Sequence, residues 1–277
     1  MVERLVANEK VKGSNPFTRS KQGIRMNKEE KFKKFTEMVS QEIYSEPDSD
    51  LHQKLINEIV PALITRPDGP LRSDRIIDIG CGPGLVMDKL VELGYAKENI
   101  IGLTKGKSDI ARAKEKGFTI FDEDMSFTSF KDNEFDFAIV RHCLEHSPYP
   151  YLTLLEFNRI LKKGARVYIE MPQPGGDRTL EHMVNHYSIM NTVQWGSLLL
   201  RAGFDYQTGV YNLNVNVKEK NYKEPYDWYM ATKLIERSDF LPANSEYMVG
   251  LQDKLIQGRK DLGHTDVIAK EIPIDKK

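Results

Sequence analysis

A strand-like run that breaks into alternate glycines, Arg75-Ile76-Ile77-Asp78-Ile79-Gly80-Cys81-Gly82-Pro83-Gly84-Leu85, constrains this chain more than any other stretch. Ile76, Ile77 and Ile79 are β-branched and apolar, as a strand covered on both faces requires. The glycines remove side chains where backbone must turn sharply or lie close to a ligand. A helix is expected next, from about Leu85 to Leu93. Strand, turn and helix make the first half of a βαβ nucleotide-binding unit, whose ligand sits at the carboxyl end of the strand.

Strand and helix patterns alternate downstream. Ile100-Ile101-Gly102-Leu103, Phe118-Thr119-Ile120-Phe121, Phe135 to Val140 and Arg166 to Glu170 read as strands two to five. Helices are expected over Asp109 to Lys116, closed by Gly117, over Tyr149 to Leu161, and over Ile189 to Arg201, stopping at Gly203. This alternation predicts an α/β fold, a mostly parallel sheet with helices on both faces. Phe204 to Val217 alternates enough for a closing hairpin.

Upstream, Lys28 to Tyr44 and Leu51 to Leu63 read as two helices separated by Pro47-Asp48-Ser49-Asp50. Phe32, Phe35, Met38, Val39 and Ile43 form an apolar stripe expected to pack on the flank of the sheet, with substrate contact as the alternative. The chain thus divides into residues 1–25, a helical N-terminal cap over 26–70, the α/β domain over 71–217 and a polar extension over 218–277. The extension holds an aromatic cluster, Tyr222, Tyr226, Trp228 and Tyr229, with no legible role.

Forty basic residues against forty-one acidic ones leave a net charge of −1. Such balance gives no global field to recruit nucleic acid or an anionic bilayer. No run is long and apolar enough to span a membrane. The two cysteines, Cys81 and Cys143, lack metal-site spacing and point to a reducing, cytoplasmic setting.

The loop spacing separates two cofactor classes. A dinucleotide fold uses G-x-G-x-x-G with an acid about 20 residues on, whereas this loop is Gly80-x-Gly82-x-Gly84 with Asp78 two residues ahead. Asp78-Ile79-Gly80-Cys81-Gly82-Pro83-Gly84 resembles motif I of the class I S-adenosylmethionine (SAM) dependent methyltransferases, and the downstream segments resemble the type 11 group. The resemblance covers about Lys54 to Val217 and implies a Rossmann-like class I methyltransferase fold with SAM as cofactor. SAM carries an ammonium that Asp78 could offset. Strand two ends Gly102-Leu103-Thr104-Lys105, a departure from the family's usual acid there; Thr104 offers one hydroxyl to the ribose, shared with Lys105 or Ser108. Asp122-Glu123-Asp124-Met125-Ser126-Phe127 resembles the family's acidic loop, which implies that Asp124 takes the adenine amine while Met125 adds a backbone N–H and an apolar edge.

Val140-Arg141-His142-Cys143-Leu144-Glu145-His146-Ser147-Pro148 resembles the "LEH" signature after strand four. Residues there lie in the crevice beside the cofactor, which places Arg141 against it and makes His142 a candidate base. His146 is a second candidate, or caps the following helix and braces the loop. His182-Met183-Val184-Asn185-His186-Tyr187-Ser188 corresponds to a substrate loop of the family. His186 is the other candidate catalytic residue, with Tyr187 beside it, and His182 ranks lower.

The resemblance implies transfer of the SAM methyl to an acceptor, with a small metabolite or a saccharide favoured over protein or nucleic acid. The alternatives are a non-catalytic SAM-fold scaffold and a nicotinamide-dependent dehydrogenase. Residues 1–25 carry six basic and two acidic residues and no sustained apolar period. Val11-Lys12-Gly13-Ser14-Asn15-Pro16-Phe17-Thr18-Arg19-Ser20 resembles a transfer-RNA gene read as protein. The expectation is that this segment is not part of the functional protein and that Met26 is the start, with Asn27 capping the first helix.

Overall fold

The computed structural model describes residues 27–39, 50–217 and 220–236, together with the single positions 254, 256, 257 and 260. The expectations for residues 1–25, and for the end of the first helix beyond 39, lie outside the described residues. The chain divides into two compact units, residues 1–41 and 42–277, so the helical cap expected over 26–70 is split between them.

In the first unit, α1 spans Lys28–Val39. Asn27 caps it reciprocally: the Glu30 backbone N–H donates to Asn27 Oδ1 at 2.8 Å, and the Asn27 N–H donates to Glu30 Oε2 at 3.0 Å. Phe32, Phe35 and Met38 are exposed. They share twelve residues with seven Lys and Glu, too many charges to let the helix bury a wide face.

In the second unit, α2 (Asp50–Ile64) precedes the sheet. Strands β1 (Ile76–Ile79), β2 (Ile100–Leu103), β3 (Thr119–Phe121), β4 (Phe135–Arg141) and β5 (Leu161–Pro172) alternate with α3 (Leu85–Glu92), α4 (Lys107–Glu115) and α5 (Pro150–Ile160). Helix α6 (Thr192–Arg201), β6 (Phe204–Val217) and β7 (Lys220–Lys233) follow. The sheet runs β3-β2-β1-β4-β5-β7-β6, parallel except for β7, which is antiparallel to both neighbours.

Side-chain alternation along the strands splits the core in two. Ile77, Ile79, Ala138, Val140 and Ile169 face Leu154 and Phe157 of α5 and Trp195 and Leu199 of α6. Ile76, Phe137, Ile139 and Tyr168 face Ile56 and Val60 of α2, Met87 and Leu90 of α3, and Ile110 of α4. Helices therefore cover both faces.

Two sequence expectations are corrected. The closing hairpin is present but longer than Phe204 to Val217, which forms only its first strand of 14 residues. Its partner comes from the segment read as a polar extension, because Lys220–Lys233 enters the sheet between β5 and β6. Charged and aromatic residues interleave along β7, so it shows no clean apolar period, yet Tyr226, Tyr229, Met230 and Ala231 are buried. Strand five also begins earlier than expected, at Leu161, and Gly164 in a left-handed conformation (φ 80°) lies in the irregular stretch between its pairings at Leu161 and Arg166.

Candidate active site

The strand order reverses between β1 and β4, since the chain leaves β1 toward β2 and β3 and returns to β4 on the other side. In open α/β sheets this switch point, at the carboxyl ends of the strands, is where ligands bind. The glycine loop lies there. The N–H groups of Gly80 and Cys81 both donate to the Leu103 carbonyl, at 2.8 and 3.1 Å, which folds the loop over the end of β2. At Gly80 (φ 76°) a Cβ would collide with the Cys143 side chain, so this glycine serves packing. At Gly82 (φ 50°) a Cβ would meet nothing within 4 Å, which leaves an open approach to the backbone. Gly84 (φ 81°) leads into α3. Cys81 and Cys143 are both buried thiols outside any disulfide, and burial raises the Cys81 thiol well above its usual range.

Asp78 is buried, and its Oδ2 has no hydrogen-bond partner among the described residues. Desolvation pushes its pKa up to about 7, with the nearby Arg141 acting in the opposite direction. A carboxylate at this depth, opening toward a glycine cradle, fits a cationic ligand group.

Arg141 closes β4 beside Glu170 of β5, with which it is in register. Its Nη2 and Nε donate to Glu170 Oε1 at 2.7 and 3.1 Å. The same oxygen meets His142 Nε2 at 2.9 Å, and the Tyr168 hydroxyl donates to Oε2 at 2.8 Å. Glu170 is fully buried, but these partners hold its pKa far below the carboxylate range despite the opposing desolvation. His142 sits at φ 49°, uncommon for a residue with a side chain, and its N–H donates to the Glu170 carbonyl at 2.9 Å. Since an ionised carboxylate only accepts, a neutral His142 carries its proton on Nε2 and its basic lone pair on Nδ1. Its ring lies edge-on to Tyr226 at 4.8 Å. In sequence Glu170 was placed only as the last residue of strand five, although an acid inside an otherwise apolar strand was a usable signal.

Thr104 follows β2, its N–H bonded to the Phe121 carbonyl at 3.1 Å. Asp124 follows β3, where its Oδ1 accepts the Ser126 N–H at 2.8 Å and shapes the loop. Met125 packs partly against the core. These residues share the carboxyl edge of the sheet with Asp78.

A second group lies beside His142. Glu145 and His146 belong to a short 3-10 turn, Leu144–His146. His146 Nδ1 pairs with the Asn185 carbonyl at 2.8 Å and His186 Nδ1 with the Leu180 carbonyl at 2.8 Å, and the two rings meet edge-on at 4.8 Å. His146 thus braces the 180–188 segment. Burial and the neighbouring His146 lower the His186 pKa to about 4, so it stays neutral at physiological pH and is a weak base there. Tyr187 and His182 are exposed.

Sheet order, the reversed strand β7 and the glycine loop define a Rossmann-like methyltransferase fold. Residues 77–169 match the family described as "Methyltransferase domain", and this stretch is a class I, SAM-dependent methyltransferase domain. Over 128 residues the chain is 32% identical to a ubiquinone biosynthesis O-methyltransferase of Nitrosococcus oceani, covering 44% of this chain and 54% of that protein. The chain spans about half the length of such curated relatives. Among solved structures, a SAM-dependent methyltransferase of Thermotoga maritima is similar at TM-score 0.51 and 20% identity, covering 73% of this chain and 94% of that one. The 4+2 cyclase SpnF is similar at TM-score 0.51 and 16% identity, covering 69% of this chain and 84% of that one.

Proposed function

We propose that this protein transfers the methyl group of SAM to a small acceptor that presents a hydroxyl. The observation that carries this reading is the buried, unpartnered Oδ2 of Asp78 beside the open face of Gly82. Asp78 would offset the ammonium of SAM, the backbone of Gly80, Cys81, Gly82 and Gly84 would lie along it, Thr104 would meet the ribose, and Asp124 with Met125 the adenine. Arg141 acts behind Asp78, since its guanidinium is committed to Glu170. The oxygen acceptor is supported by the activity named for the Nitrosococcus relative. A saccharide remains within the class, because sugars present hydroxyls.

SAM supplies a methyl group already activated by its sulfonium, so the protein's main task is alignment. Orientation alone can contribute roughly 7–11 kcal/mol, whereas a general base adds about 10²–10⁴-fold. His142 is the residue best placed for the proton of the acceptor hydroxyl. Glu170 fixes its tautomer, so that Nδ1 receives the proton and the resulting imidazolium is stabilised by the same carboxylate. His186, with its pKa near 4, is poorly matched to that task at neutral pH.

The second reading is a different chemistry or a binding role on the same fold. It is favoured by Thr104 in place of an acid, and by the SpnF likeness, where a comparable fold carries a cyclase. Calorimetry with SAM and S-adenosylhomocysteine tests the cofactor. Incubation with methyl-labelled SAM and extract, followed by mass spectrometry, tests transfer. Affinity for NAD in place of SAM would remove the reading, and SAM binding with no labelled product would favour the second.

A further inference from the structure

We infer that Glu145, His146 and His186 form a binding site for a divalent transition-metal ion at the acceptor side of the cleft. The three offer one ligand atom each, and these atoms all lie within 4.8 Å of one another. Zinc bonds to His nitrogen and carboxylate oxygen measure about 2.0–2.2 Å, so two ligands of one tetrahedral ion stand about 3.4 Å apart. Side-chain adjustments of less than about 1 Å would close all three atoms around an ion.

The hydrogen bonds make the same point. Carbonyl oxygens only accept, so the contacts from His146 Nδ1 to Asn185 and from His186 Nδ1 to Leu180 place the ring proton of each neutral imidazole on Nδ1. The lone pairs are then on both Nε2 atoms. Tying one imidazole N–H to a backbone carbonyl is how metal-binding histidines are oriented, and it raises their ligand strength.

Backbone geometry holds the two loops in place independently of any ion. The Ser188 N–H donates to the Glu145 carbonyl at 3.0 Å, and the Ser188 hydroxyl to the Ser147 carbonyl at 2.6 Å. The 3-10 turn after β4 and the loop after β5 therefore meet at fixed separation. Two imidazoles with one carboxylate suit a borderline ion such as zinc or cobalt better than magnesium, which takes oxygen ligands. Three protein ligands leave a position for water or a substrate oxygen. Assigning that position to an acceptor oxygen rests on the methyl-transfer reading, whereas metal uptake does not.

The test uses the full chain without a histidine tag, stripped with chelator and without SAM. Cobalt(II) is titrated while its visible absorption is followed, zinc competes in a second titration, and melting temperature is recorded with and without zinc. The expected result is one equivalent per chain and a zinc-dependent rise in melting temperature. His146→Gln, His186→Gln and Glu145→Gln should each weaken binding by more than about tenfold, Glu145→Asp should restore part of it, and His182→Gln should leave it unchanged. Circular dichroism identifies the folded variants to compare. No cobalt or zinc uptake, uptake unchanged in folded His146→Gln and His186→Gln proteins, or binding of magnesium alone would overturn the assignment. SAM calorimetry on the same preparations reports separately on the methyl-transfer reading.

Discussion

Arg141 and Glu170, side by side on β4 and β5, share one carboxylate oxygen between two guanidinium nitrogens at 2.7 and 3.1 Å, at the end of the sheet next to Asp78. The pair sets the charge of the site. It holds Glu170 ionised in the interior, whereas burial raises the pKa of the neighbouring Asp78 to about 7 against the pull of Arg141. Arg141→Met would strand the Glu170 charge, and removing one partner of a buried pair costs roughly 3–5 kcal/mol. Adding Glu170→Gln should recover much of that loss. Urea unfolding of the single and double variants measures it, and additive losses would mean that the two side chains are not coupled.

Asp78 should make stability and cofactor affinity respond to pH in opposite directions. Its folded pKa, about 7, lies above its unfolded value, so between the ordinary carboxylate range and pH 7 the unfolded chain releases the proton first. This group's contribution to stability therefore falls as pH rises through that window, with a slope approaching about 1.4 kcal/mol per pH unit, and levels off above it. Asp78→Asn should flatten this part of the profile. SAM affinity should rise as pH passes 7, because the ammonium prefers an ionised partner. Calorimetry in buffers of different ionisation enthalpy should detect proton release on binding, and its absence at pH 6.5 would count against the contact.

Gly80 and Gly82 should fail differently. Gly80→Ala drives a methyl group into Cys143 and should lower the melting temperature, with partial rescue by Cys143→Gly. Gly82→Val meets open space at φ 50°, so it should lose about 1–2 kcal/mol of stability to backbone strain and most of its SAM affinity. Unchanged affinity in a folded Gly82→Val protein would remove the loop from the cofactor site.

At Thr104, replacement by Val should weaken SAM binding by about 0.5–1.5 kcal/mol, the net scale of one hydrogen bond. Thr104→Asp should preserve or strengthen it, since a carboxylate accepts from both ribose hydroxyls. Two variants indistinguishable from the parent in calorimetry would place the ribose elsewhere.

His142→Gln should lower turnover at saturating SAM by about 10²–10⁴-fold while leaving SAM affinity nearly intact, and should remove the acidic limb of the rate profile. Equal turnover in the variant would leave alignment as the whole mechanism.

The elements before residue 204 were legible because their signals are local. β-branched runs, positive-φ glycines and the Asn191 capping box that starts α6 act within a few residues, so neighbours in sequence suffice to read them. The loop at Gly80 to Gly84 carried the cofactor class for the same reason. β7 was not legible: Glu224, Asp227 and Lys233 are buried, and each is tolerated only because of a partner elsewhere. Glu224 accepts from Arg178 at 2.8 Å, Asp227 from Gln173 at 2.6 Å and Thr192 at 2.8 Å, and Lys233 donates to the Leu161 carbonyl at 2.6 Å. Read alone, such charges predict solvent. The meeting of His146 with His186, forty positions apart, was likewise decided by β4 and β5 being neighbours, which delivers both following loops to one end of the sheet. Periodicity is set by adjacent residues, whereas burial of a charge and convergence of two loops depend on which strands pair, and only the folded sheet settles that.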